Sequence, residues 1–100
     1  MPQTTLEVSV SFMGEMVSIV GARNLKLALP EGATVGDLLA SLSKSYGEDF
    51  RCRVFSGPAK LQHTMLIFVD GENIKERGGL AAGLGNGEVE VIMLPMFGGG

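Results

Sequence analysis

The residues with the most direct chemical meaning stand at the end of the chain, Met96-Phe97-Gly98-Gly99-Gly100. Glycine loses more backbone freedom on ordering than any other residue, so a terminal run of it adds nothing to a core. What it supplies is access: backbone without side chains can enter a narrow slot and offer its last carboxyl group to another protein. A carboxylate is a poor electrophile until one oxygen becomes a good leaving group, so a chemical role here requires activation by a nucleotide and shelter from water. Gly100 is then the reacting residue and Gly99 its support, with the reactive end moving to Gly99 if the chain is trimmed. An inert, unstructured end has the same composition, and the glycines by themselves leave both readings open.

Other chemistry-bearing residues are sparse. Cys52 lies between Arg51 and Arg53, which favour a reactive thiolate, but a lone cysteine is more often a packed or incidental residue. His63 is the single histidine and has no second ligand at metal spacing. Asp70-Gly71-Glu72 reads as a turn, since the spaced acidic ligands of a calcium loop are missing. The stretch from Gly78 to Gly87 lacks the Gly-Lys-Ser/Thr ending of a phosphate loop. One cysteine excludes an iron–sulfur cluster, which needs about four thiolates. No metal or bound cofactor is expected, and no catalytic side chain of the protein's own.

Composition sets the frame for these residues. One hundred residues with 45% hydrophobic and 19% charged content predict one globular domain, residues 1–97, followed by a flexible glycine tail, 98–100. The net charge of −3, without a run of Lys or Arg, argues against nucleic-acid and anionic-membrane partners. No apolar run approaches the roughly 20 residues that span a bilayer, and the start has no basic segment leading into an apolar one. A single cysteine suits a reducing compartment, so the expectation is a soluble, cytoplasmic protein.

The elements follow from periodicity. Leu6, Val8, Val10 and Phe12 alternate with polar residues, predicting a strand with one buried face. Met13 to Asn24 reads as a connection whose Met16, Val17, Ile19 and Val20 fold back on the sheet. Leu25, Leu27 and Leu29 alternate up to the Pro30-Glu31-Gly32 turn, completing an antiparallel hairpin with a long loop. Thr34 and Asp37 form an acidic capping box, and Val35, Leu38, Leu39, Leu42 and Tyr46 make one helical stripe that Gly47 ends in a left-handed conformation. Glu48 to Thr64 is weakly patterned, with a short helical turn near Phe50 to Phe55. Met65 to Val69 is a strand closed by Asp70-Gly71, and Asn73-Ile74-Lys75 a short edge strand. Gly78, Gly79 and Gly83 exclude a second long helix and leave Leu80 as the apolar anchor of that stretch. After an Asn86-Gly87 turn, Val89, Val91 and Met93 alternate in the last strand. Glu7, Glu88 and Glu90 make a solvated face capable of steering a basic partner.

With one main helix, the economical packing lays its stripe across a mixed sheet of about four to five strands, first and last strands parallel in the middle. This is an α+β, β-grasp, ubiquitin-like arrangement. A ferredoxin-like sandwich is the rival and needs the second helix that the glycines exclude.

At this point the chain resembles the β-grasp sulfur-carrier family, which includes the molybdopterin synthase small subunit, the thiamine-pathway sulfur carrier and a carrier used in cysteine synthesis. The residues that carry the resemblance are Leu29 to Leu39, Ile67 to Ile74, Gly78-Gly79-Leu80, and Gly87 to Val91 running through a proline into the glycines. Three features depart from the pattern. Phe97 stands before three glycines where a small residue precedes two; Phe12-Met13-Gly14 replaces an aromatic pair; and Glu48 to Thr64 is longer than in compact members.

The resemblance implies that an adenylating enzyme uses ATP to activate the Gly100 carboxylate, which then becomes a thiocarboxylate that donates sulfur in cofactor biosynthesis, molybdopterin foremost. The molybdopterin synthase large subunit is the second implied partner. Conjugation to target lysines, as ubiquitin-like modifiers do, shares the same adenylate, and thiamine or cysteine synthesis are alternative destinations. Partner contact falls to Gly98, Phe97, Met96 and Met93, of which Met93 reads more readily as core because it sits in an alternating strand.

Overall fold

Alternation decides the central strands. In the computed structural model, which describes residues 5–57, 60–62, 65–85 and 87–95, the chain runs in β1 (Thr5–Phe12) with Leu6, Val8, Val10 and Phe12 buried. The hairpin partner is β2 (Asn24–Pro30), antiparallel, with Leu6 opposite Leu29 and Val10 opposite Leu25. Between them the expected connection contains a short helix, α1 (Met16–Val20), with Met16 buried. Gly21, at φ 83°, ends it in the left-handed region and donates its N–H to the Val17 carbonyl at 2.8 Å. The apolar residues do fold back on the sheet, as one helical turn instead of a loop.

The main helix, α2 (Val35–Tyr46), is built as its sequence dictates. Thr34 N–H donates to Asp37 Oδ2 at 2.9 Å, and Asp37 N–H donates to Thr34 Oγ1 at 3.2 Å, so the box satisfies two donors that a helix start otherwise leaves free. Val35, Leu38, Leu39 and Leu42 are buried against the sheet. Gly47 stops the helix at positive φ but with ψ −155°, not in the left-handed helical well that the sequence predicts. That backbone region is open essentially to glycine alone. It sends the chain directly into α3 (Glu48–Val54), a fuller element than the expected turn, held by fully buried Phe50 and Val54. The Tyr46 and Phe50 rings meet at 6.1 Å between centroids. A small separate hairpin follows, β3 (Phe55–Gly57) with β4 (Lys60–Leu61).

The remaining strands are β5 (Met65–Val69), β6 (Glu72–Asn73) and β7 (Glu88–Pro95). They complete a five-stranded mixed sheet in the order β2-β1-β7-β5-β6, with β7 parallel to β1 and antiparallel to β5. This is the β-grasp arrangement expected. The edge strand stops at Asn73, whose Oδ1 accepts the Lys75 N–H at 2.9 Å and starts a 3-10 turn that buries Ile74. A second 3-10 turn, Gly79–Ala81, leads to a strap across the start of α2. There Val35 N–H donates to the Ala82 carbonyl and Leu84 N–H to the Ala33 carbonyl, each at 2.9 Å. Leu80 is only partly buried; Ala82 and Leu84 are the deeper anchors. Among the described residues no helix is long and apolar enough to cross a membrane.

Thr34→Ala removes one half of the capping box and should lower stability by about 1 kcal/mol without changing the slope of a urea unfolding curve. A loss indistinguishable from zero would show that the strap from residues 79 to 84, and not the cap, fixes the start of α2.

Candidate functional site

The tail is approached through the last strand. Gly98, Gly99, Gly100, Phe97 and Met96 lie outside the described residues, as does His63. The site that can be built is therefore the surface from which they leave, and it begins with β7. Along that strand Val89, Val91 and Met93 point inward and Glu88, Glu90, Ile92 and Leu94 point outward. Met93 is fully buried, opposite Ile67, which removes it from the set of partner-contacting residues. Its side chain fills the core beneath the sheet.

The outward neighbours take over that role. Leu94 pairs with Leu66 and Ile92 with Phe68 across the β5–β7 ladder, all four half-exposed on the face opposite α2. Cross-strand pairs of this kind hold one another in place. Met13 adjoins them: the β1–β7 register ends at Phe12 opposite Met93, and Met13 N–H extends the ladder by donating to the Met93 carbonyl at 3.2 Å. Met13 is 45% exposed, the one large hydrophobic side chain classed as exposed among the described residues. Five apolar side chains thus form a contiguous patch at the end of the sheet where β7 leaves it. The sequence signal for the patch was present in Ile92 and Leu94, but their apolar character merged with the strand's core pattern.

Below the patch, Gly14 braces the exit. Its φ is +61°, and a Cβ built there would stand 3.3 Å from Pro95 Cγ, so the turn into α1 passes close to Pro95 and leaves little room for a side chain. Arg53 of α3 forms an ion pair with Glu15, tying this turn to the second helical layer. A shallow recess beside it is lined by Phe12, Met13, Gly14, Val17, Ser18 and Arg23.

The remaining candidates lie apart. Cys52 is exposed, with Sγ 3.7 Å from Glu48 Oε2, and its flanking arginines are engaged elsewhere: Arg51 donates to both Glu48 oxygens at 2.8 and 2.9 Å, and Arg53 reaches Glu15. A groove of about 480 Å³ between α2, α3 and the strap, lined by Ala40, Ser43, Phe55 and Leu80, takes no residue from β7. Among the described residues no three His, Cys, Asp or Glu side chains gather as metal ligands. Side chains around Pro95 can seat a partner's surface.

Comparisons with known proteins agree with this geometry. The ThiS family model matches residues 10–100. The small archaeal modifier protein 1 from Methanosarcina acetivorans superposes with a TM-score of 0.77 at 27% identity, covering 96% of this chain and 98% of that one. CysO from Mycobacterium tuberculosis does so with 0.72 at 26%, covering 90% and 99%. A Pyrococcus furiosus protein described as molybdopterin converting factor subunit 1 gives 0.72 at 25%, covering 92% and 99%. A comparison with curated proteins gives no match.

Two substitutions test the facing of β7. Met93→Ala should cost about 2–5 kcal/mol, and Leu94→Ala well under half as much, read by urea denaturation. Equal losses would contradict the assignment of inner and outer faces. Gly14→Ala combines left-handed backbone strain with the Pro95 contact and should cost about 1–2 kcal/mol in the same assay.

Proposed function

The chain belongs to the ThiS family of β-grasp sulfur carriers, and on that premise we propose that it is the protein substrate of an adenylating enzyme, carrying sulfur on Gly100. A carboxylate oxygen of Gly100 attacks the α-phosphorus of ATP and pyrophosphate leaves. A sulfur nucleophile at the oxidation level of hydrosulfide then attacks the carbonyl carbon of the acyl-adenylate; AMP departs and a thiocarboxylate remains. ATP is bound by the partner and not by this chain. Each step needs an unhindered carbonyl, which Gly98, Gly99 and Gly100 provide, while Phe97 stays outside the partner's slot as a docking residue.

The observation that carries this reading is the coincidence of three things at one end of the sheet: the departure of β7 at Pro95, the apolar patch of Met13, Leu66, Phe68, Ile92 and Leu94, and the glycine run downstream in sequence. Monomeric proteins rarely leave such a patch without a use, and here it lies where a protein gripping the tail must sit. The sulfur goes to a small-molecule acceptor in cofactor biosynthesis, molybdopterin first among the candidates. Support for that choice is the similarity to the protein described as molybdopterin converting factor subunit 1, in which case the large subunit of the synthase is a second partner.

A second reading has an observation of its own. The Methanosarcina acetivorans protein is named a modifier, and attack on the same adenylate by a lysine amine, with loss of AMP, would give an isopeptide bond.

Intact-mass spectrometry of the protein from its own host separates the two. A fraction heavier by the exchange of one oxygen for sulfur, localised to Gly100 by fragmentation, is expected for the carrier. Tail remnants on lysines of other proteins, without that exchange, would replace it by the modifier. Deletion of Gly100 should abolish the product of the pathway while leaving the thermal unfolding curve unchanged. Undiminished product would overturn the assignment of the sulfur to Gly100.

A further inference from the structure

The turn between β1 and α1 leaves a recess of about 560 Å³ at the tail end of the body, lined by Phe12, Met13, Gly14, Val17, Ser18 and Arg23. Phe12, Met13 and Val17 supply apolar surface, and Ser18 and Arg23 a hydroxyl and a cation. Arg23 is exposed and joins none of the ion pairs found among the described residues. No acidic side chain lines the recess, and Glu15, the acid next to Gly14, is held by Arg53. The fold uses Arg23 through its backbone, whose carbonyl accepts the Phe12 N–H at 2.8 Å. Any residue would serve there, so the guanidinium is left without a task.

The position of Pro95 decides what can fill this space. Gly14 lines the recess, and a Cβ built on it would stand 3.3 Å from Pro95 Cγ, so the chain passes the rim as it leaves β7. At this end Phe12 has Arg23 on one side and Met93, its partner in the parallel ladder, on the other. Arg23 and Met93 are therefore two strand spacings of about 4.8 Å apart, and with Pro95 two residues further along, its backbone lies roughly 12 Å from that of Arg23. The sequence continues from Met96 to Gly100, an extended reach of about 16 Å at about 3.3 Å per residue. Phe97 comes about 7 Å beyond Pro95, at the distance of the rim, and the final carboxylate comes within range of a long basic side chain. Gly98 and Gly99, between ring and carboxylate, have no Cβ to oppose the bend.

We propose that in the free protein the tail folds back on its own body, the Phe97 ring entering this recess against Met13 and Val17 and the Gly100 carboxylate pairing with Arg23. The occupant matches the site in both respects: an aromatic ring for the apolar part, and a negative charge for the one cation that lines it. A partner that needs the glycines then competes with the recess for them. Its apparent affinity falls by the fraction of molecules whose tail is free. This docking is independent of the carrier reading, because it concerns the chain before any partner arrives.

The test uses the full-length chain alone. Isotope-labelled protein should show nuclear Overhauser contacts from the Phe97 ring to the Met13 and Val17 methyl groups. Release of the terminal glycines by a carboxypeptidase is followed by intact mass, each rate divided by that of a free peptide with the same tail sequence. With the tail docked in half to four-fifths of the molecules, Arg23→Gln and Phe97→Ser should each raise the corrected rate about two- to fivefold. Combining them should add little, since either change alone frees the tail. Arg23 is exposed, so Arg23→Gln should keep the wild-type melting temperature. Absence of the Phe97 contacts, or equal corrected rates for wild type and variants, would overturn the docking. Contacts that arise only between labelled and unlabelled copies would give the recess to another molecule's tail and overturn it as well. No adenylating enzyme enters these measurements, so failure here leaves the carrier reading standing, and an unmodified Gly100 in the host leaves the docking standing.

Discussion

β1 and β7 come from opposite ends of the chain and lie side by side in the middle of the sheet, Val8 against Val89 and Val10 against Val91 across a parallel ladder. Parallel pairs are slightly weaker per residue than antiparallel ones, and this one closes nearly the largest loop the chain can make. It holds because both strands bury their inner face under α2, where Leu38, Leu39 and Leu42 complete one core with Val10, Val91 and Met93. Neither the opening hairpin nor β5 can form the full sheet until β7 is inserted between them. A fold dominated by such a non-local pairing assembles late in the order of contacts. The C-terminal strand is therefore the keystone of the body as well as the stalk of the tail.

That double duty fixes where the tail can begin. Because β7 is central, the chain leaves from the middle of one sheet end, not from an edge. It leaves between the Gly14 turn on one side and Leu66 on the other. The Arg53–Glu15 pair and the Met13–Met93 hydrogen bond fasten that turn to the rest of the molecule. Exposed ion pairs contribute little by themselves, so the backbone hydrogen bond is the firmer of the two ties. A side chain at position 14 would have to tolerate a positive φ and find room where the proline ring already stands, and glycine avoids both demands.

Much of this was legible in the sequence, and the reasons for the misses are physical. The first and last strands and the capped helix announce themselves because one face is buried and the other wet, which leaves a clean period in Leu6 to Phe12, Val35 to Tyr46 and Val89 to Met93. α1 and α3 were harder to see. α1 has five residues, too few for a period, although Gly21 marked its end. α3 follows Gly47 without a spacer, and a glycine read as a stop hid the helix beyond it. Its signals were Phe50 and Val54 one turn apart, acids first and arginines last. The site divided in the same way. The tail residues stood out by type; Met93, named beside them, faces inward as its alternation with Glu88 and Glu90 suggests, while Ile92 and Leu94 went unseen because the second half of β7 is apolar on both faces. Only the register with β5 resolves Ile92 and Leu94 as the outward pair.

One remaining question is what in the sheet opposes pairing of two copies through half-buried Leu66, Phe68, Ile92 and Leu94. The sheet's edges answer part of it. β2 is a seven-residue edge strand that carries Lys26 and ends in Pro30, both of which blunt edge pairing, and β6 is only two residues long. Exposed Glu7, Glu88 and Glu90, at the far end of the same face with Glu7 opposite Glu88, answer the rest. Two copies meeting face to face in the same direction would set Glu7, Glu88 and Glu90 against themselves; an antiparallel meeting would press those carboxylates onto the apolar patch of the other copy, where a charge is poorly solvated. Both arrangements are disfavoured by side chains that are already on the page of the sheet.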